Sequence, residues 1–192
     1  MNVRRLFPFA LFVLLFAEAV RLTLDPDMWW HLRTGEAILS DGIPRTDLFS
    51  FTFPMHEWVA HEWLSQLLMW SLYQLAGFGA LSVFFAAVTF APLGLVYLIS
   101  DGTPYVAGIV VAVAAMTGSL AWGPRPQLFN LLFLAVFLVL LEKRKDRAIG
   151  RWVFVAFPVL TLLWANLHSG YLLGIVVLGT YLVGDYLESH RS

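Results

Sequence analysis

The sequence predicts an all-α fold, a polytopic transmembrane helical bundle with about six spans plus an outer-surface interfacial helix. Three observations predict it. Of 192 residues, 59% are hydrophobic and only 13% charged, where a soluble domain carries roughly a quarter charged. The mean hydropathy is +0.75, and several apolar runs approach or reach the ~20 residues that cross ~30 Å of hydrocarbon. The stretch from residue 24 to 62, in contrast, is rich in ionisable groups and tryptophan between otherwise apolar segments. A single transmembrane domain over residues 1–192 follows, with 25–79 forming an outer loop that carries interfacial helices. No internal repeat or low-complexity stretch divides it. The net charge of −1 offers nothing to nucleic acid, and the absence of cysteine excludes disulfides and thiolate metal sites.

Each element can be justified in order. Apolar segments fall near 6–24, 62–78, 80–99, 105–122, 126–141, 151–166 and 169–187. Turn chemistry separates them at Gly77-Phe78-Gly79, at Ser100-Asp101-Gly102-Thr103-Pro104, at Gly123-Pro124-Arg125-Pro126 and at Asn166-Leu167-His168-Ser169-Gly170. Arg4-Arg5, the apolar run behind them and Ala17-Glu18-Ala19 match the outline of a signal peptide. The apolar character continues to Leu24, however, and further spans follow, so this segment reads as an uncleaved first helix. Glu18 and Arg21, three apart, are expected to pair locally. Asp185, Glu188 and His190 are expected only to end the last helix in a solvated tail.

Orientation depends on segment 62–78. Arg4 and Arg5 place the N-terminus in the cytoplasm. If all seven segments cross, the basic loop of Lys143, Arg144, Lys145, Arg147 and Arg151 lands outside, against the positive-inside rule. If 62–78 lies along the outer surface, that loop returns inside, and with Arg4, Arg5 and Arg191 eight of the twelve Lys and Arg are cytoplasmic. Glu62, Ser65, Gln66, Tyr73 and Gln74 give the segment a polar side, with Trp63 and Trp70 as interfacial anchors. Six spans are therefore expected. Asp25, Asp27, His31, His61, Glu62, Arg125, Asn166 and His168 then share the outer side and can surround one cavity.

Their chemistry has two readings at each position. Asp25 and Asp27 flank Pro26 and suit a general base or a divalent-cation ligand; the plainer reading is a polar helix cap. Asp27 is the better candidate base, because four residues bring it onto one helical face with His31. His61-Glu62 and His56-Glu57 each set an imidazole beside a carboxylate, but the five-residue spacing of the histidines is not the zinc signature. No metal site is expected, and Glu62 is expected to favour the positive end of the helix it starts. Arg125, between two prolines, can grip a phosphate with paired hydrogen bonds or simply meet lipid headgroups. His168 and Asn166 interrupt two apolar runs and are either functional or bonded to their own turn.

The motifs Asp25-Pro26-Asp27-x-Trp29-Trp30-His31-Leu32-x-x-Gly35, Ile43-Pro44-x-x-Asp47-x-x-Ser50, His61-Glu62-Trp63-Leu64, Arg125-Pro126-Gln127 and Trp164-Ala165-Asn166-Leu167-His168-x-Gly170 resemble the N-terminal half of bacterial membrane proteins grouped with the GT-C superfamily of polyprenyl-phosphate-sugar glycosyltransferases. The resemblance covers nearly the whole chain. It implies sugar transfer from a polyprenyl-phosphate donor on the outer face of the bacterial inner membrane. Asp27 or Asp25 would deprotonate the acceptor, Arg125 would neutralise the departing phosphate, and His31, His168, His61, Glu62 and Asn166 would assist binding. A divalent cation is the one cofactor left open. Such enzymes carry more spans than 192 residues supply, so the chain is expected to be an N-terminal module. The alternative is a non-catalytic subunit or truncated homologue that binds lipid-linked substrate, membrane lipids or a partner membrane chain.

Overall fold

A computed structural model describes residues 3–20, 25–53, 55–144 and 150–190, with backbone only at 4, 5 and 151. Arg21, Lys145, Arg147 and Arg191 lie outside the described residues, so the expected Glu18–Arg21 pair and much of the basic loop do too. The described residues are helical throughout their regular structure: α1 (Val3–Ala19), α2 (Pro26–Asp41), α3 (Trp63–Ile99), α4 (Pro104–Gly118, extended by a 3-10 turn at Ser119–Ala121), α5 (Leu128–Lys143), α6 (Gly150–Leu167) and α7 (Tyr171–Ser189). Three helices are long and apolar enough to cross a membrane, at Trp63–Ile99, Pro104–Ala121 and Tyr171–Ser189. Shorter apolar helices lie at Leu6–Ala19 and Trp152–Leu167.

α2 forms because its first residues solve the helix-start problem. Asp25 is the N-cap, accepting a 2.8 Å bond from the Asp27 amide, and Pro26 follows with its φ already helical. Met28, His31, Leu32, Gly35 and Ile38 recur at three- and four-residue spacing and are buried, which makes one stripe that packs on α3. Gly35 sets the closeness of that crossing. A Cβ there would sit 2.2 Å from the Gln66 carbonyl oxygen and 2.7 Å from the Trp70 Cβ.

α3 is two helices joined at a kink. Ala76 leaves helical geometry and Gly77 takes φ +61°, ψ −151°, a region that is essentially reserved for glycine. The expected break at Gly77 is thus real, and it separates a first part that carries Gln66 and Trp70 from a second part rich in phenylalanine. The core gathers Phe85 of α3, Phe129, Phe133 and Phe137 of α5 and Trp164 of α6. Trp164 is fully buried and stacks on Phe133 at 5.4 Å. Outside this core the chain is apolar where a soluble protein would be polar. Val106, Ile109, Val110 and Val113 of α4 and Leu172, Leu173, Ile175 and Val176 of α7 are all exposed, as a surface bathed in hydrocarbon requires.

Between α2 and α3 the chain makes a short bridged loop. The Asp47 amide donates to the His56 carbonyl at 2.8 Å and the Trp58 amide to the Arg45 carbonyl at 2.9 Å. Asp47 also accepts from the amides of Phe49 and Ser50, and Ser50 accepts from the Phe53 amide. The Ile43-Pro44-x-x-Asp47-x-x-Ser50 motif is therefore a run of side-chain-closed turns. Leu48, Phe49, Phe51, Phe53, Met55 and Val59 stand exposed around them.

At the far end of the bundle Asp185, Glu188 and His190 are exposed, as the sequence suggested, but Asp185 is not slack. It is paired with Arg144, whose Nη2 donates to Oδ2 at 2.6 Å, and the Arg144 guanidinium lies 5.0 Å over the Tyr181 ring. The ends of α5 and α7 are clamped together there.

Candidate functional site

The starts of α2, α3 and α5 and the end of α6 meet at one end of the bundle. Asp25, just ahead of α2, is 1% exposed and ion-paired with the Nε of Arg125, which precedes α5. Pro124 and Pro126 are buried on either side of Arg125, so the guanidinium is held from the backbone up. Its side chain remains 41% exposed, which leaves part of its five-donor fork for another anion. The cap reading of Asp25 is therefore met by the geometry, and its carboxylate is spoken for twice. Asp27, two residues on, is exposed.

Glu62 is the centre of the second half. It is only 5% exposed, and three imidazoles surround it. His168 Nε2 lies 3.2 Å and His61 Nε2 3.7 Å from Oε1, and His31 Nδ1 lies 3.8 Å from Oε2. Although Glu62 is the residue before α3, its side chain makes no capping bond; it turns to the histidines instead. Ser65 takes over the local work, its hydroxyl reaching both the Glu62 and the Leu167 carbonyl at 2.9 Å. That second bond satisfies an end carbonyl of α6 and fixes α6 against α3.

Burial sets the electrostatics. Desolvation raises the Glu62 carboxyl above the usual range, with nearby Asp27 adding to the rise and His61 opposing it. Desolvation brings His31 down to about 4, against the pull of Asp27 and with help from His168 and His61. His168 is lowered by burial and by His61. His31 and His168 are therefore neutral at neutral pH, able to donate or accept one hydrogen each.

Of the eight residues named from sequence, six (Asp25, Arg125, His31, His61, Glu62 and His168) sit in these two groups, and Asp27 borders the second through its field at His31 and Glu62. His61 is half exposed, its Nδ1 3.1 Å from the Val59 carbonyl. Asn166 is committed elsewhere: its oxygen accepts from Trp63 Nε1 at 2.6 Å and its amide donates to the Leu162 carbonyl. It ties α6 to the start of α3. Sequence reasoning missed Asn130 and Gln66. Asn130 Oδ1 lies 3.0 Å from His168 Nδ1 and accepts from Trp164 Nε1 at 2.8 Å. Gln66 is 1% exposed, with Nε2 3.5 Å from His31 Nδ1. The signal for Asn130 was present, a polar amide in the apolar run Leu128-Phe129-Asn130-Leu131.

The arrangement combines a partly exposed guanidinium, an exposed carboxylate and a buried carboxyl group ringed by three imidazoles. Among the described residues no three histidine or carboxylate groups stand so as to hold a metal ion. Comparison of the chain with known proteins returns no matching family model, no matching curated protein and no matching solved structure.

Proposed function

We propose that this chain is the membrane module of a GT-C-like glycosyltransferase that handles a polyprenyl-phosphate-linked sugar at the outer face of a bacterial inner membrane. In this reading α1, the second part of α3, α4, α5, α6 and α7 cross the bilayer. α2 and the first part of α3 lie at the outer surface, and the N-terminus is cytoplasmic. One observation carries the reading, the contact of Asp25 with Arg125 at the end of the bundle that holds the Glu62 cluster. That contact needs the 25–62 loop and the 123–127 turn on the same side. A first part of α3 that crossed the membrane would separate them.

Roles follow from exposure and charge. Asp27, exposed and next to the cluster, accepts the proton of the acceptor hydroxyl as the sugar's anomeric carbon passes from the lipid phosphate to the acceptor oxygen. Arg125 neutralises the phosphate that leaves with the bonding electron pair. Asp25 orients Arg125 and is not the base. His31, His61, His168 and Glu62 line the sugar and phosphate side. In purified protein reconstituted in lipid nanodiscs, Asp27→Asn is expected to lower transfer from polyprenyl-phosphate sugar by about 10²–10⁴-fold while polyprenyl phosphate still binds. Arg125→Ala is expected to lose binding as well. Full transfer in Asp27→Asn removes the base assignment.

A second reading, a non-catalytic subunit, draws on α7. Only 6% of its apolar window is buried, which leaves a face for lipid or a partner helix. Binding of polyprenyl phosphate with no turnover in the presence of acceptor sugars favours it.

A further inference from the structure

The hydrogen positions around His168 can be worked out from a donor that has no choice. The Trp164 indole N–H only donates, and it points at the Asn130 side-chain atom 2.8 Å away. That atom is therefore the amide oxygen and not its nitrogen. His168 Nδ1 lies 3.0 Å from the same oxygen. Two bare lone pairs at that separation repel, so Nδ1 carries the hydrogen. The neutral ring is then left with a lone pair on Nε2, which faces Glu62 Oε1 at 3.2 Å. Here again one hydrogen has to lie between two acceptors.

One neighbour favours the opposite tautomer. The Gly170 amide lies 3.1 Å from His168 Nδ1 and would donate to it if the ring hydrogen moved to Nε2. Gly170 is the N-cap of α7, however, where backbone amides lack helical partners in any case. The Asn130 oxygen is held by a fully buried tryptophan. The Nδ1–H form turns the Gly170 amide hydrogen toward the ring hydrogen, but this amide at a helix start can swing aside at less cost than the buried Asn130 oxygen that Trp164 holds in place.

We propose that Glu62 and His168 form a one-proton pair, positioned by Asn130 and Trp164, and that the pair presents a neutral carboxylic acid to the site. A neutral acid against a neutral imidazole avoids burying two charges, and the burial of both groups favours that form over carboxylate and imidazolium. The other groups facing Glu62 are His31 and Asp27 from α2 and His61 from the preceding loop. Asp25 and Arg125, at the same end of the bundle, neutralise one another. The consequence for ligands rests on the phosphate reading above. With Glu62 ionised, a phosphate approaching Arg125 meets the charges of Asp25, Asp27 and Glu62. With Glu62 protonated it meets one fewer. The position of the proton does not rest on that reading.

The test is histidine ¹⁵N NMR of the whole chain in lipid nanodiscs at neutral pH, with His168 assigned by His→Gln variants. The expected spectrum has a protonated Nδ1 and an unprotonated Nε2 at His168. In Asn130→Ala the hydrogen is expected to move to Nε2 as the Gly170 amide takes over Nδ1. A native His168 with its hydrogen on Nε2 alone, or with both nitrogens protonated, overturns the proposal, and this outcome needs no variant to fold. The ligand consequence is read separately. Polyprenyl phosphate binding is expected to weaken as pH rises through the Glu62 titration and to lose that component of its pH dependence in Glu62→Gln. A flat native profile with the expected tautomer removes the phosphate role and leaves the proton pair standing.

Discussion

Two aspartates separated by one proline have opposite fates, and the difference is burial. Asp25 caps α2 and compensates Arg125, so Asp25→Ala removes a cap worth about 1 kcal/mol and leaves the guanidinium without its partner. Losing one member of a fully buried pair costs roughly 3–5 kcal/mol; Arg125 is 41% exposed, so water recovers much of that, and the total expected is about 2–3 kcal/mol. Asp27→Asn is expected to stay within about 0.5 kcal/mol of the native stability, because Asp27 is exposed. Thermal unfolding in detergent micelles separates the two. His31 adds a pH dependence. Its folded-state value of about 4 lies below the ordinary 6.5, so the contribution is complete above 6.5 and is lost as pH falls toward 4. The loss is roughly 3 kcal/mol. Glu62, shifted upward, acts in the other direction and loses its contribution as pH rises. His31→Gln is expected to flatten the acid side of the stability profile; an unchanged acid side would contradict the burial account of His31.

At the scale of elements, glycines fix the geometry that the site depends on. Gly35→Ala drives a methyl into the Gln66 carbonyl, so α2 must lift from α3 at a cost of about 1–3 kcal/mol, and His31 moves away from Glu62 with it. Gly77→Ala meets no atom within 4 Å, so its expected cost, about 1–3 kcal/mol, is purely that of the backbone conformation. Equal stabilities for Gly77→Ala and the native chain would mean the kink is not enforced there. Much of this level was legible in the sequence. The stripe of α2, the cap at Asp25 and the breaks near Gly77, Pro104, Pro124 and Gly170 follow from local chemistry. What was not legible came from partners far apart in the chain. Asn130 gains its meaning from Trp164 and His168, 34 and 38 residues away. Asn166 reads as a site residue until Trp63, 103 residues away, is seen to occupy it. Asp185 looked like tail until Arg144 met it across 41 residues.

For the whole molecule, the proposed function stands on a division into two ends. Asp25, Glu62, Arg125 and His168 share one end, and the Arg144–Asp185 clamp marks the other. The measurement that tests this most directly is cysteine accessibility, since the chain has no cysteine of its own. Single replacements at Thr52, Gln127, Ser169, Asp101 and Lys143, all exposed, would meet a membrane-impermeant maleimide in intact cells. The account predicts labelling at Thr52, Gln127 and Ser169, with Asp101 and Lys143 protected until the membrane is permeabilised. Labelling at Thr52 with protection at Gln127 and Ser169 would place the Asp27 loop and the Arg125 turn on opposite faces, and the shared site would be contradicted.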